Sequence, residues 1–205
     1  MIRIDTVVFD IGNVLIRWDP RHLYRSVFTD EAEMEHFLAH VCTMAWHVEH
    51  DRGVSFAENA ARLKAVHPDQ AALIDLWGAR YPEMTPARVP GTETLLRGLK
   101  AAGHAVHGLT NMPSDFLPVL AGVYPELELL EEMVVSGDEG VIKPDPRIYE
   151  ILIARTGLDP ARTLFIDDSQ ANVATAAALG FAVHRFVHAE GLGDELRQLG
   201  LLSPP

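Results

Sequence analysis

Five short apolar runs constrain this chain more than any other feature. Residues 105–110, 133–136, 163–167 and 181–187 each have the length and composition of a strand, and helical patterns fill the gaps between them. A fifth run, Ile4 to Asp10 (Ile-Asp-Thr-Val-Val-Phe-Asp), precedes them and ends in a turn at Gly12. Strands separated by helices return to the sheet in the same direction, so the pattern predicts an α/β fold, a parallel sheet with helices on both faces. Asp145 caps a helix from Pro146 to Thr156, and Gly103, Gly157 and Gly180 close helices. Leu117 to Leu130 reads as helix interrupted by Pro118 and Pro125.

Between the first run and the second, Pro20 to about Tyr81 is helical throughout, with Asp19-Pro20 as its start. Residues 81–91 then hold Pro82, Pro86, Pro90 and Gly91, the composition of a hinge. The helical stretch is therefore an insertion, and a two-part molecule with a cleft is expected. A chain of 205 residues has room for one domain and such an insertion.

Charge narrows the partners. Seventeen Lys and Arg against 29 Asp and Glu give a net charge of −12. That excludes nonspecific binding to nucleic acid and docking on an anionic membrane. No stretch has the apolar length of a membrane span, and no basic segment followed by an apolar one opens the chain. Cys42, the single cysteine, can form no intrachain disulfide and no cysteine-rich zinc module, and reads as a small buried residue. A cytoplasmic protein is expected, with oligomeric state open.

In parallel sheets, ligands bind beyond the carboxyl ends of the strands. The polar residues at those ends are Asp10, Thr110-Asn111, Lys143 in the loop after the third strand, and Asp167-Asp168. Each alone has a structural reading as a cap or a solvated loop residue; four such strand ends together do not. Three crowded carboxylates require a proton, a cation or a basic partner. Oxygen donors without cysteine favour a hard ion, Mg²⁺ before zinc. An anion site beside a metal is what a phosphoryl group needs, and a carboxylate there can serve as nucleophile.

These residues give the sequence its resemblance to the haloacid dehalogenase-like (HAD) hydrolases. The first motif resembles Phe9-Asp10-Ile11-Gly12-Asn13-Val14, the second Leu109-Thr110-Asn111, the third Lys143-Pro144-Asp145-Pro146, and the fourth Phe165-Ile166-Asp167-Asp168-Ser169 with Asn172 beyond it. The resemblance implies a Rossmann-like core from residues 1–16 and 89–205 and a helical cap from 17–88. It implies Asp10 as nucleophile and Lys143 as the catalytic cation. Thr110, Asn111 and Lys143 would bind substrate. Mg²⁺ would be held by Asp10, the Gly12 carbonyl, Asp168 and Asp167, with Asp167 as ligand or close support. The Phe-Asp-x-Gly-Asn-Val variant resembles a branch that includes α-D-glucose-1-phosphate phosphatases, so the expected substrate is a small sugar phosphate.

One departure from the family pattern matters. Most phosphatases of the family have a second aspartate two residues after the nucleophile, which acts as acid and base; here that residue is Gly12. Loss of a general acid costs about 10²–10⁴-fold in rate. Two alternatives follow. One is a metal-independent 2-haloacid dehalogenase, whose leaving halide needs no proton and whose arginine would be sought among Arg17, Arg21 and Arg25. The other is a phosphate-binding module without turnover. Gly12 itself is read either as a site that would admit an aspartate or as a position that needs a positive φ. If another residue supplies the proton, His47, His50 and Asp19 are the first candidates. As a pair, His47 and His50 read as surface or packing residues rather than metal ligands. Trp18, Trp46 and Trp77 read as packing, with Trp18 and Trp46 the better candidates for the cleft. Asp51-Arg52-Gly53 reads as a helix end and turn.

Overall fold

The computed structural model describes residues 3–203. Met1, Ile2, Pro204 and Pro205, at the ends of the expected core segments, lie outside them. Five parallel strands form one sheet: β1 (Thr6–Phe9), β2 (Ala105–Thr110), β3 (Met133–Val135), β4 (Thr163–Asp167) and β5 (Ala182–Arg185), in the order β3-β2-β1-β4-β5. This is the Rossmann-like α/β architecture with a helical insertion.

The strands alternate between two cores. Val7, Phe9, Leu164 and Ile166 face one side, where α6 (Thr92–Ala101) and α11 (Ala189–Gln198) cover them through Leu96, Leu99, Leu192 and Leu196. Val8, Leu109 and Phe165 face the other, against α9 (Pro146–Thr156) and α10 (Gln170–Ala178) through Ile148, Tyr149, Leu152 and Ala176. Because both faces are covered, the central strands are apolar without alternation. The sequence of α11, broken by Gly191 and Gly193, does not predict a helix, yet α11 buries Leu192, Gly193 and Leu196 on one face. Pro118 does not interrupt a helix. It occupies the first turn of α7 (Leu117–Val123), where a missing N–H costs nothing.

The inserted stretch holds α1 (Arg21–Tyr24), α2 (Glu31–His40), α3 (Met44–Asp51), α4 (Phe56–Val66) and α5 (Ala71–Ala79). Asp30, Thr43 and Ser55 cap α2, α3 and α4 through their side-chain oxygens. Tyr24, Met34, Ile74 and Trp77 are buried at the centre of this helical body, and Tyr24 donates to the Leu73 carbonyl at 2.9 Å. The outgoing and returning chains hydrogen-bond to each other, from Arg17 N to Ala87 O at 2.9 Å and from Val89 N to Leu15 O at 2.8 Å. Among the described residues no helix is long and apolar enough to cross a membrane.

Candidate active site

Register brings the polar strand ends together. Phe9 pairs with Gly108 on one side and Ile166 on the other, so Asp10 emerges level with Leu109 and Asp167, one residue before Thr110. Lys143 reaches into the gap. Its Nζ lies 2.9 Å from Asp10 Oδ1 and donates to Asp167 Oδ2 at 2.7 Å and to the Leu109 carbonyl at 2.8 Å. Carboxylate oxygens of Asp10, Asp167 and Asp168 lie within 4.8 Å of one another.

The three carboxylates differ in what already holds them. Asp167 is fully buried, and its oxygens accept from Lys143, Asn172 and the Ser169 backbone. Asp10 Oδ1 accepts from the Ile11 backbone at 2.7 Å. Asp168 is half-buried at the cavity edge. Burial pushes the Asp10 carboxyl up to about 7 against the pull of Lys143, with Asp167 adding to the rise. Burial and then Asp167 also raise Asp168, against Lys143. Burial pulls Lys143 down, but Asp10 and Asp167 more than offset this and hold it above the usual lysine range. One lysine against three carboxylates leaves negative charge that a divalent cation would neutralise, and the donors are hard oxygens, so the residues fit Mg²⁺.

Thr110 and Asn111 both line the cavity, but they differ in availability. The Asn111 amide is engaged on both atoms: Nδ2 donates to Lys143 O at 3.0 Å, and Oδ1 accepts from Lys143 N at 2.8 Å. It therefore clamps the loop that presents the lysine. Gly12 also lines the cavity. Its φ is not in the left-handed region, and a Cβ there would meet nothing within 4 Å; the positive φ belongs to Asn13, at 56°.

The cavity, about 270 Å³, continues from this cluster toward the inserted helices. Its lining includes the apolar Ile16, Trp18, Met44, Phe116 and Leu120 beside the polar Asn13, Tyr81 and Thr85. Trp18 lines it, whereas Trp46 does not and instead donates to Asn59 O at 3.3 Å. None of Arg17, Arg21 and Arg25 lines it, and Arg21 is paired with Glu35. Asp19 sits in a separate recess beside Arg21. His50 is buried, bonded to Val54 O and Asn59. Cys42 is buried, and burial pushes its thiol up to about 12.

Two inserted residues that reach the cavity carry more than the sequence suggested. His47 is buried and stacks on Trp18 at 4.8 Å. Asp51 ends α3 as expected, yet it is buried and lines the cavity with Asp10 and Lys143. No local signal marks it, because elements far away in sequence bury it.

Residues 4–180 match the family described as haloacid dehalogenase-like hydrolase. A sesquiterpene phosphatase of Aspergillus oryzae is 27% identical over 203 residues, covering 94% of each chain. An (S)-2-haloacid dehalogenase of Burkholderia cepacia is 27% identical over 64% of this chain and 54% of its own. A HAD-family enzyme of Bacteroides thetaiotaomicron, solved with magnesium and inorganic phosphate, superposes with a TM-score of 0.67 at 20% identity, over 90% of this chain and 95% of its own.

Proposed function

The chain belongs to the haloacid dehalogenase-like hydrolases, and we propose that within this family it is a Mg²⁺-dependent phosphomonoesterase working through an aspartyl-phosphate on Asp10. The observation that carries this reading is the charge pattern of the cavity. Three carboxylates converge around one lysine, and no arginine lines the space. A dehalogenase reading needs a cationic grip on a carboxylate substrate, and Lys143 is already committed to Asp10, Asp167 and the Leu109 carbonyl. A phosphoryl group with its cation suits the same cluster.

Asp10, the Gly12 carbonyl and Asp168 would hold the ion, which supplies charge neutralisation for the cluster and the phosphoryl oxygens. Asp167, its oxygens taken by Lys143, Asn172 and Ser169, supports from behind. Asp10 attacks phosphorus as the carboxylate, the form that Lys143 favours against burial, and the Thr110 hydroxyl donates to a phosphoryl oxygen. Asn111 keeps Lys143 in place. We assign residues 1–16 and 89–205 to the catalytic core and 17–88 to the cap that encloses the leaving group.

The substrate is a small phosphomonoester rather than a nucleic acid. A sugar needs hydrogen-bond partners for its hydroxyls, and toward the insertion the cavity sets the apolar side chains of Ile16, Trp18, Met44, Phe116 and Leu120 beside the polar Asn13, Tyr81 and Thr85. The apolar side chains favour a less polar alcohol than the sugar expected from the sequence. The sesquiterpene phosphatase is a relative whose named substrate has that character.

The test is a turnover panel with and without Mg²⁺: p-nitrophenyl phosphate, 2-phenylethyl phosphate, glucose 1-phosphate and 2-chloropropionate. Phosphate release that needs Mg²⁺, strongest on the apolar esters, is expected. Chloride release in excess EDTA would overturn the reading, and binding of phosphate without any turnover would support the non-catalytic module instead.

A further inference from the structure

Gly12 leaves no side chain where most family phosphatases keep their acid. We infer that Asp51, at the C-terminal end of α3, is the general acid and base of this reaction, an inference that rests on the phosphatase reading above. Asp51 lines the same cavity as Asp10 and Lys143. Its side chain is only 9% exposed, and its Oδ1 has no hydrogen-bond partner. A buried polar atom without a partner costs stability, so the fold keeps it at a loss.

The backbone around Asp51 is pinned to the core. Ser136 Oγ, at the start of α8 (Ser136–Glu139), donates to the Asp51 carbonyl at 2.6 Å. Two residues on, Gly53 has a φ of 89° and passes so close to the Gly137 carbonyl that a Cβ would sit 2.6 Å from it. This contact between insertion and core holds the carboxyl in the cavity.

The groups facing Asp51 leave it the proton. Burial raises it to about 7, against Lys143 and Arg52. His47 Nε2 lies 3.5 Å from Oδ1, outside hydrogen-bond geometry, and His47 Nδ1 is also unpartnered. Burial and then His50 push His47 down to about 3, so it stays neutral. Burial pushes the Tyr81 phenol far up, so it too keeps its proton. His50 lies outside the cavity, and Asp19 is in a separate recess.

In the first step an Asp10 oxygen bonds to phosphorus, the P–O bond to the alcohol breaks, and the Asp51 proton goes to the departing oxygen, releasing the neutral alcohol. In the second, a water oxygen bonds to phosphorus, the Asp10–phosphorus bond breaks, and Asp51 takes the water proton. Ester plus water gives alcohol plus phosphate, and both aspartates return to their starting states.

The experiment compares Asp51→Asn with the wild type on 2-phenylethyl phosphate and p-nitrophenyl phosphate, in Mg²⁺. The variant should lose about 10²–10⁴-fold on the alkyl ester. On the nitrophenyl ester, whose leaving group needs no proton, it should release one equivalent of nitrophenolate in a burst and then stall as the phosphoenzyme. A thermal melt and retained beryllofluoride binding separate this from misfolding. Wild-type rates on both esters, or equal losses with no burst, would overturn the assignment while leaving the phosphatase reading intact. Absence of phosphatase activity in the wild type would overturn both. Should the variant fail to fold, the wild type decides alone across phenyl phosphates of rising phenol pKa. A nearly flat kcat/KM supports a positioned acid, and a steep fall contradicts it.

Discussion

Lys143 Nζ lies 2.9 Å from Asp10 Oδ1, with the lysine side chain 1% exposed and the aspartate 10%. The pair stands between two strands because β1 and β2 are adjacent and parallel, and because the loop after β3 returns over them. A buried pair is costly to break, since the surviving charge is stranded. Lys143→Met strands both Asp10 and Asp167. It should lower stability by about 3–5 kcal/mol and leave residual turnover that requires more Mg²⁺. Denaturant melts and a Mg²⁺ titration check both effects.

Asp168 and Asp167 should separate cleanly. Asp168→Asn removes a charge from the cavity edge, and the Mg²⁺ concentration for half-maximal activity should rise by at least the roughly 10–100-fold that outer supports alone are worth. Asp167→Asn acts behind the site, where the carboxylate accepts from Lys143, Asn172 and Ser169. Its thermal midpoint should fall more than that of Asp168→Asn. Excess EDTA should silence the wild type and spare its fold.

Asp51 should cost the protein stability at neutral pH. Its carboxyl titrates at 3.8 ordinarily and at about 7 when folded. Between those values the folded state binds more protons than the unfolded, so this contribution is lost as pH rises from about 4 to about 7. Asp51→Asn should match the wild type at pH 4 and exceed it above pH 7, by on the order of a few kcal/mol. Equal melting curves at both pH values would contradict the burial argument.

Gly12 offers a gain of function. Space for a Cβ and an ordinary φ mean that Gly12→Asp should fold. Placed on Asp51→Asn, it should recover part of the lost alkyl-ester turnover and shorten the burst on the nitrophenyl ester. A folded double variant no better than Asp51→Asn would show that a carboxyl at this position does not reach the departing oxygen.

The sheet and the carboxylate cluster were legible because both follow from local pattern. Residues 105–110 and 163–167 are strands with the bounds read from the sequence, and their ends carry Thr110 and Asp167. Asp51 was not legible. Its neighbours Arg52 and Gly53 announce a helix end, which is correct, while the residues that meet this turn from the core, Ser136 at the Asp51 carbonyl and Gly137 at Gly53, lie far along the chain. Asn111 was visible as a polar strand end, but its engagement with the Lys143 backbone depends on how a loop returns. Trp46 reads with Trp18 as a candidate for the cleft, yet its indole turns to the Asn59 carbonyl. Residues 189–198 hid a helix because two glycines lower its propensity, and only the packing of Leu192 and Leu196 restores it.

The central claim is that Asp10 becomes phosphorylated during turnover. The direct measurement is rapid acid quench of wild type with 2-phenylethyl phosphate and Mg²⁺, followed by peptide mass spectrometry. The account predicts one added phosphoryl group on the peptide containing Asp10, absent in a folded Asp10→Asn and, with p-nitrophenyl phosphate in place of the alkyl ester, accumulating in Asp51→Asn. Turnover of the ester with no phosphopeptide at Asp10, or full activity in Asp10→Asn, would contradict it.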